Sequence, residues 1–297
     1  MIITKLKGGL GNQMFQYACG RALSLRNKDI LKLDISGYTN QSNDTPRYYS
    51  LSHFKIKNEA IASDAEISKI KYPFGVLSKA VLFVNLFIKT KILRDFNIGW
   101  YKNITTKKGD VYLDGFWQTE KYFADISGDI RNEFSLKEGL SGNSLAMATA
   151  IAGNAHIPSV SMHVRRGDVA RDAAKNPYFG CTPPEYYARA LEYIATHIKD
   201  FHVFVFSDDI EWVKKNIAIP YPVTYVSGSS AGSQIPDYEE LTLMSICTHN
   251  IIANSSFSWW GAWLNPRSDK MVIAPKEWIT RGKRMHKDTI PHTWIRF

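Results

Sequence analysis

A chain of 297 residues has room for two domains of ordinary size, and its 44% hydrophobic and 22% charged residues exclude the disordered and fibrous classes. The net charge of +9 favours anionic partners, yet the basic residues are scattered, with short clusters only at Lys107-Lys108, Lys214-Lys215 and Arg281 to Lys287. That dispersion, with no RNP, zinc-finger or helix-turn-helix pattern, argues against nucleic acid as the partner. Cys19, Cys181 and Cys247 lie far apart without metal or redox spacing, which predicts reduced thiols in a cytoplasmic protein. The first residues, MIITKLKGG, lack the apolar run of a signal peptide. Val81 to Ile88 is the longest apolar stretch and is far short of the roughly 20 residues that span a bilayer. Its flanks, Lys79, Lys89 and Lys91, fit a membrane-surface helix, although a packed helix is the expectation.

In chain order, Ile2-Ile3 with Leu6 predicts a short buried strand, then the turn Gly8-Gly9-Leu10-Gly11 and a helix with Asn12 as its N-cap. Met14, Ala18, Ala22 and Leu25 recur at helical spacing, and Ile30 to Leu33 predicts a second strand. Strand, glycine turn, helix and strand make a βαβ opening and so a parallel sheet. Helices are expected over 61–70, 81–93 and 125–134, and a strand over 111–118. Composition loosens between Glu138 and Asn154, where Gly139, Gly142 and Gly153 fall. The expected domains are therefore 1–150 and 151–297, with a last helix packing back on the first.

The βα rhythm repeats beyond that point. Strands are expected at 159–164, 201–206, 223–226, 251–253 and 271–274. Helices are expected at 184–197, where Pro183-Pro184 suits a helix start, and at 210–216, 239–248 and 257–264. The predicted fold is α/β, with two Rossmann-like βα domains facing a central cleft.

Open parallel sheets bind ligands outside the carboxyl ends of their strands. Three polar stretches fall there: His163-Val164-Arg165-Arg166-Gly167-Asp168, Ser207-Asp208-Asp209 and Asn254-Ser255-Ser256. Strand alternation sends His163 and Arg165 to one side, Met162 and Val164 to the other. An arginine fork fits a phosphate and stays charged, while Gly167 allows close approach of the backbone. Asp168 has two readings, a structural salt bridge to Arg165 or Arg166, or a chemical role. Asp208 could accept paired N–H groups such as guanine presents, or Ser207 and Asp208 could cap the next helix. Asn254, Ser255, Ser256 and Phe257 stand where a strand enters a helix, which suits either an anion site or simple capping. Trp259, Trp260 and Trp263 at helical spacing read as core. The loop at Gly8 to Gln13 lacks the full dinucleotide or P-loop pattern, and implies only close backbone approach to a ligand.

With these residues in place, the chain resembles the α-1,2-fucosyltransferases of glycosyltransferase family 11, in their bacterial branch. The resemblance rests on GGLGNQMFQYA (Gly8 to Ala18), DGFWQTEKYF (Asp114 to Phe123), HVRRGD (His163 to Asp168), FSDD (Phe206 to Asp209) and NSSFSWWGAWL (Asn254 to Leu264). It implies a GT-B-like, inverting enzyme that uses GDP-β-L-fucose with no metal or other cofactor. The C-terminal domain would bind the donor and the N-terminal domain most of a galactose-terminated, soluble or lipid-linked acceptor. Arg165, with Arg166 beside it, would clamp the β-phosphate. His163 and Asp208 would contact guanosine, and Asn254, Ser255, Ser256 and Phe257 would line the diphosphate site. Gly9, Asn12 and Gln13 would face the same cleft. Asp168 is the first candidate for the catalytic base and Glu120 the second. The implied setting is the cytoplasm, with the basic surface suited to peripheral contact with anionic lipids of the inner membrane in O-antigen or capsule synthesis. Another linkage, another sugar nucleotide, and a nucleotide- or nucleic-acid-binding protein remain as alternatives.

Overall fold

The structure, a computed structural model, describes residues 1–39, 46–57, 60–72, 92–94, 100, 102–153, 156–167, 170, 180–227, 235–279 and 288–297. The chain divides into two compact units, Met1–Phe134 and Ser135–Phe297. The expected helix over 81–93 lies outside the described residues up to 91. Its last residues instead form a strand.

The first unit is a four-stranded sheet in the order β2-β1-β4-β3, parallel throughout: β1 (Ile2–Lys5), β2 (Leu31–Asp34), β3 (Ile92–Arg94) and β4 (Val111–Asp114). Helix α1 (Leu10–Asn27) joins β1 to β2 and is almost wholly buried, as a crossover helix on an all-parallel sheet must be. Its N-cap is Gly9, not the expected Asn12, which sits one turn inside the helix. Gly8 takes a left-handed φ of 80°, the conformation that lets the chain leave β1 and enter the helix at once. Ile3 and Tyr112 on the opposite face pack against Ile67 and Ile70 of α2 (Asp64–Lys71), whose start is held by a reciprocal Ser63–Glu66 capping box. The short helices α3 (Lys102–Thr105) and α4 (Ser127–Glu133) complete the unit. A buried network closes its core, in which the Tyr17 hydroxyl and the Arg21 guanidinium both donate to Glu133.

The second unit begins earlier than residue 151. Helix α5 (Gly142–Ala152) belongs to it, because Ile151 joins the cluster of Phe204, Phe206, Leu243 and Met244, and the Ser141 hydroxyl donates to Glu239 at 2.8 Å. The glycines that loosen the sequence here set off a helix rather than a linker.

Six parallel strands follow, in the order β10-β9-β8-β5-β6-β7: β5 (Ser159–Val164), β6 (His202–Ser207), β7 (Val223–Ser227), β8 (His249–Ile251), β9 (Val272–Ala274) and β10 (Ile295–Arg296). Alternation along the central strands supplies both faces. Val160, Met162, Val164, Val203 and Val205 pack on one side with Tyr187, Leu191 and Ile194 of α6 (Pro184–His197) and with Val213 of α7 (Ile210–Asn216). Phe204 and Phe206 pack on the other with α8 (Asp237–Ile246). Helix α9 (Ser256–Leu264) carries Trp259, Trp260 and Trp263 into the core as expected, where Trp259 stacks with Trp263 at 11° and touches Trp294. A last helix is the expectation at the chain end. Among the described residues after Leu264 there are strands and no helix, and Ile295–Arg296 pairs with β9.

The strand order positions the site. From β5 the chain adds β6 and β7 on one side, then crosses to place β8 on the other. The carboxyl ends of β5 and β8 are thus the topological switch point, where loops diverge and leave a crevice for a ligand. Among the described residues no helix is long and apolar enough to cross a membrane.

Candidate active site

At this switch point β5 ends in His163 and Val164, and Arg165 follows the last strand residue. His163 faces away from Met162 and Val164, and its ring lies 5.8 Å from that of Phe257 at the start of α9. The imidazole is buried, and among the described residues its Nδ1 has no hydrogen-bond partner. Burial, and then the charge of Arg165, push its pKa down to about 3, so the ring is neutral throughout the physiological range. A buried polar nitrogen without a partner is costly, and a water, an ion or a ligand group would offset that cost.

The paired arginines separate. Arg165 is partly exposed at the strand end. Arg166 turns back and lays its guanidinium 3.8 Å over the Trp212 indole, with its Nε buried and without a hydrogen bond among the described residues. Its backbone N–H donates to Asp208 Oδ1 at 2.8 Å. The second carboxylate oxygen of Asp208 fills the space in which a side chain at Gly167 would lie, so this close approach requires glycine. Asp208 therefore anchors the arginine loop. Capping of α7 falls to Asp209, whose Oδ1 accepts from Trp212 N at 3.1 Å, while Ser207 Oγ accepts from Asp209 N at 3.0 Å. Capping by Ser207 or Asp208, as the spacing suggested, does not occur. Asp168 lies outside the described residues.

Across the crevice, Asn254 is committed to the scaffold. Its amide donates to Gly180 O and accepts from the Thr182 hydroxyl, both at 3.2 Å. Ser255 is the N-cap of α9 and accepts from Phe257 N at 3.3 Å. Ser256 and Phe257 are half-buried in the first helical turn, at the positive end of the helix dipole. The structure thus brings His163, Arg165, Ser256 and Phe257 to one strand-end region, with Arg166, Asp208, Asn254 and Ser255 behind them as supports.

Sequence reasoning missed one group. Glu240, on α8, is buried within electrostatic reach of Asp208. Burial, then the charges of Asp237 and Asp208, raise its pKa to about 8. Its spacing from Leu243, Met244 and Cys247 puts it on the apolar face of α8, and that periodicity could have exposed it.

The remaining candidates belong to the first unit. Gly9 caps α1, and Asn12 Oδ1 accepts from Gln118 Nε2 at 2.8 Å. Gln13 is fully buried, and its amide is consumed by backbone. It donates to Gly8 O and Tyr48 O and accepts from Ser50 N. Glu120 opens a short 3-10 turn whose cap is Thr119, and its charge acts on Arg131. Trp117, two residues before that cap, holds a left-handed φ of 53°, a strained conformation for a bulky residue.

Two parallel α/β units, one ending in a cationic strand-end loop beside a helix N-terminus, define a two-unit α/β protein with a cationic strand-end crevice in its second unit. The chain belongs to glycosyl transferase family 11, whose model matches residues 1–296. It is 33% identical to an alpha-1,2-colitosyltransferase of Escherichia coli, over all of this chain and 98% of that one. It is 32% identical to the O-antigen biosynthesis glycosyltransferase WbnK of Escherichia coli, over 98% of each. With the galactoside 2-alpha-L-fucosyltransferase Sec1 of Mus musculus it shares 25% identity over 89% of this chain and 64% of that one.

Proposed function

We propose that the chain transfers L-fucose from GDP-β-L-fucose to the 2-hydroxyl of a terminal galactose in a bacterial surface glycan, with inversion and without a metal. The observation that carries this reading is the strand end from His163 to Gly167, with a partly exposed Arg165 beside a buried neutral His163, at the switch point opposite the start of α9. In this reading the second unit binds the donor and the first binds most of the acceptor.

The galactose oxygen attacks the anomeric carbon from the face opposite the diphosphate. The bond from that carbon to the phosphate oxygen breaks with its electron pair, GDP departs, and the hydroxyl proton passes to a carboxylate. Negative charge grows on the leaving diphosphate, where Arg165 and the first turn of α9 offer fixed compensation. His163 contributes a neutral polar nitrogen to the nucleoside, and Glu240 a carboxyl that holds its proton below pH 8. Asp168 is the first candidate base and Glu120 the second, in a role worth about 10²–10⁴-fold. Asp168→Asn and Glu120→Gln compared in single-turnover assays decide between them.

A second reading has a specific support, the full-length similarity to a colitosyltransferase. Colitose is fucose without its 3-hydroxyl. A site that hydrogen-bonds that hydroxyl would disfavour the deoxy sugar by orders of magnitude, whereas an apolar contact there would not. The test is turnover of GDP-fucose against GDP-colitose with β1,3- and β1,4-galactosyl acceptors, with and without EDTA, followed by linkage analysis. An α-1,2-fucosyl product insensitive to EDTA supports the proposal. A preference for GDP-colitose replaces it with the second reading, and loss of activity in EDTA removes the metal-free mechanism.

A further inference from the structure

We propose that the carboxyl-end edge of the first sheet is a second anion site, taking a phosphate or diphosphate group on Lys5, Arg94 and Lys71. The sheet order sets the row. Each of the four parallel strands ends in a charged residue, and across the edge from β2 to β3 these are Asp34, Lys5, Asp114 and Arg94. Lys5 is in register with Asp34 and Arg94 with Asp114, while Thr4 pairs with Leu113, so all four fall on neighbouring rungs about 4.8 Å apart. They share the face on which Ile3 and Tyr112 pack, two residues back along their strands, and that face lies under α2. The C-terminal residue of α2, Lys71, brings its ammonium 4.1 Å from the Tyr112 ring and 3.9 Å from Asp34.

The two carboxylates are already provided for. Asp34, 1% exposed, accepts from the Tyr112 hydroxyl and from Ser36 N at 3.0 Å, and Asp114 pairs with Lys7 at 2.9 Å. Burial penalises both, yet their pKa values are held down by these donors and by the surrounding lysines and Arg94. Lys5 and Arg94 make no ion pair among the described residues, although each is near enough to act on Asp114 and Lys71. The six groups thus carry four positive and two negative charges. The surplus is concentrated where an open parallel sheet receives ligands, with Arg94 exposed and Lys5 half-buried. Burial and the two cationic neighbours lower the Lys71 pKa, a strain that an incoming anion relieves. An arginine fork with two ammonium groups, arranged around anchored carboxylates, matches a phosphate or diphosphate better than a single monovalent anion.

Such a group could come from the nucleotide sugar or from a diphosphate-linked acceptor, and the experiment separates them. Inorganic pyrophosphate is titrated calorimetrically into the full chain carrying Arg165→Ala, with and without Lys5→Gln and Arg94→Gln. Binding is expected to survive Arg165→Ala and to weaken about tenfold or more when both edge cations are neutralised. Lys5→Arg with Arg94→Lys should retain it, which separates loss of charge from loss of fold. No binding in Arg165→Ala, or equal binding with and without the edge cations, overturns the proposal whatever the transferase activity proves to be. The kinetic arm uses Lys5→Gln/Arg94→Gln with Arg165 intact. A rise in KM confined to diphosphate-linked acceptors assigns the anion to the acceptor, and a rise in the nucleotide-sugar KM with a neutral alkyl galactoside assigns it to the donor.

Discussion

The carboxylate of Asp208 holds the backbone N–H of Arg166 at 2.8 Å, and in doing so fills the space beside Gly167. An acid at the end of β6 thereby fixes the loop that leaves β5, one strand away in the sheet. Gly167→Ala is expected to push the carboxylate off that N–H. Turnover should fall about tenfold or more through misplacement of the loop, with ~1–3 kcal/mol lost to overpacking. Steady-state kinetics beside thermal unfolding check this, and wild-type kinetics in Gly167→Ala would show that the loop does not depend on the contact.

The two arginines should separate by phenotype. Arg165→Ala is expected to abolish turnover while leaving the melting temperature nearly unchanged. Arg166→Ala removes a guanidinium stacked on Trp212 and should lower stability by about 1 kcal/mol, while activity falls by less than in Arg165→Ala. Equal losses of activity from the two substitutions, with equal melting temperatures, would contradict this division.

Glu240 gives the second unit a pH dependence of definite sign. Its pKa is raised from 4.5 in the unfolded chain to about 8 in the fold. Between those values the native state binds the proton that the unfolded state releases, so this contribution to stability is complete below pH 4.5 and declines as pH rises toward 8. Glu240→Gln should flatten that decline and stabilise the protein at pH 8.5 by about 2 kcal/mol. Denaturant unfolding at pH 6 and pH 8.5 tests it, and an unchanged pH slope in the variant would exclude Glu240 as its source.

Gln13 should behave as a structural clip. Gln13→Ala takes the acceptor from Ser50 N and one donor each from the Gly8 and Tyr48 carbonyls, and removal of a buried multi-bond partner should cost about 1–3 kcal/mol. The expected kinetic signature is loss of active protein on mild heating with near-normal KM at low temperature. A KM effect without a stability effect would instead assign Gln13 to ligand binding.

Much of this architecture was legible in the sequence where period and punctuation agree. The helix at Pro184–His197 follows from its proline start and apolar stripe, and β5 and β6 follow from short apolar runs ending in polar residues. What escaped was set by contacts between distant segments. Asn12 has the chemistry of an N-cap, but Gly8 turns the chain earlier and Gly9 takes the position. The acids Asp208 and Asp209 are interchangeable in a string of letters. Only the neighbouring strand decides that one caps a helix and the other anchors a loop. The strand at Ile295–Arg296 is too short to carry a period of its own, and pairing with β9 alone makes it one.

The indole cluster around α9 has a consequence for how unfolding can be watched. Six of the eight tryptophans lie in the second unit, at 212, 259, 260, 263, 278 and 294, against Trp100 and Trp117 in the first. Trp259 and Trp263 stack nearly parallel with ring centres 6.1 Å apart, close enough to couple their excited states. Emission and near-ultraviolet circular dichroism are therefore weighted toward the second unit, whereas far-ultraviolet ellipticity samples both. Where the two units melt at different denaturant concentrations the curves part, and each optical channel then reports a different half of the molecule.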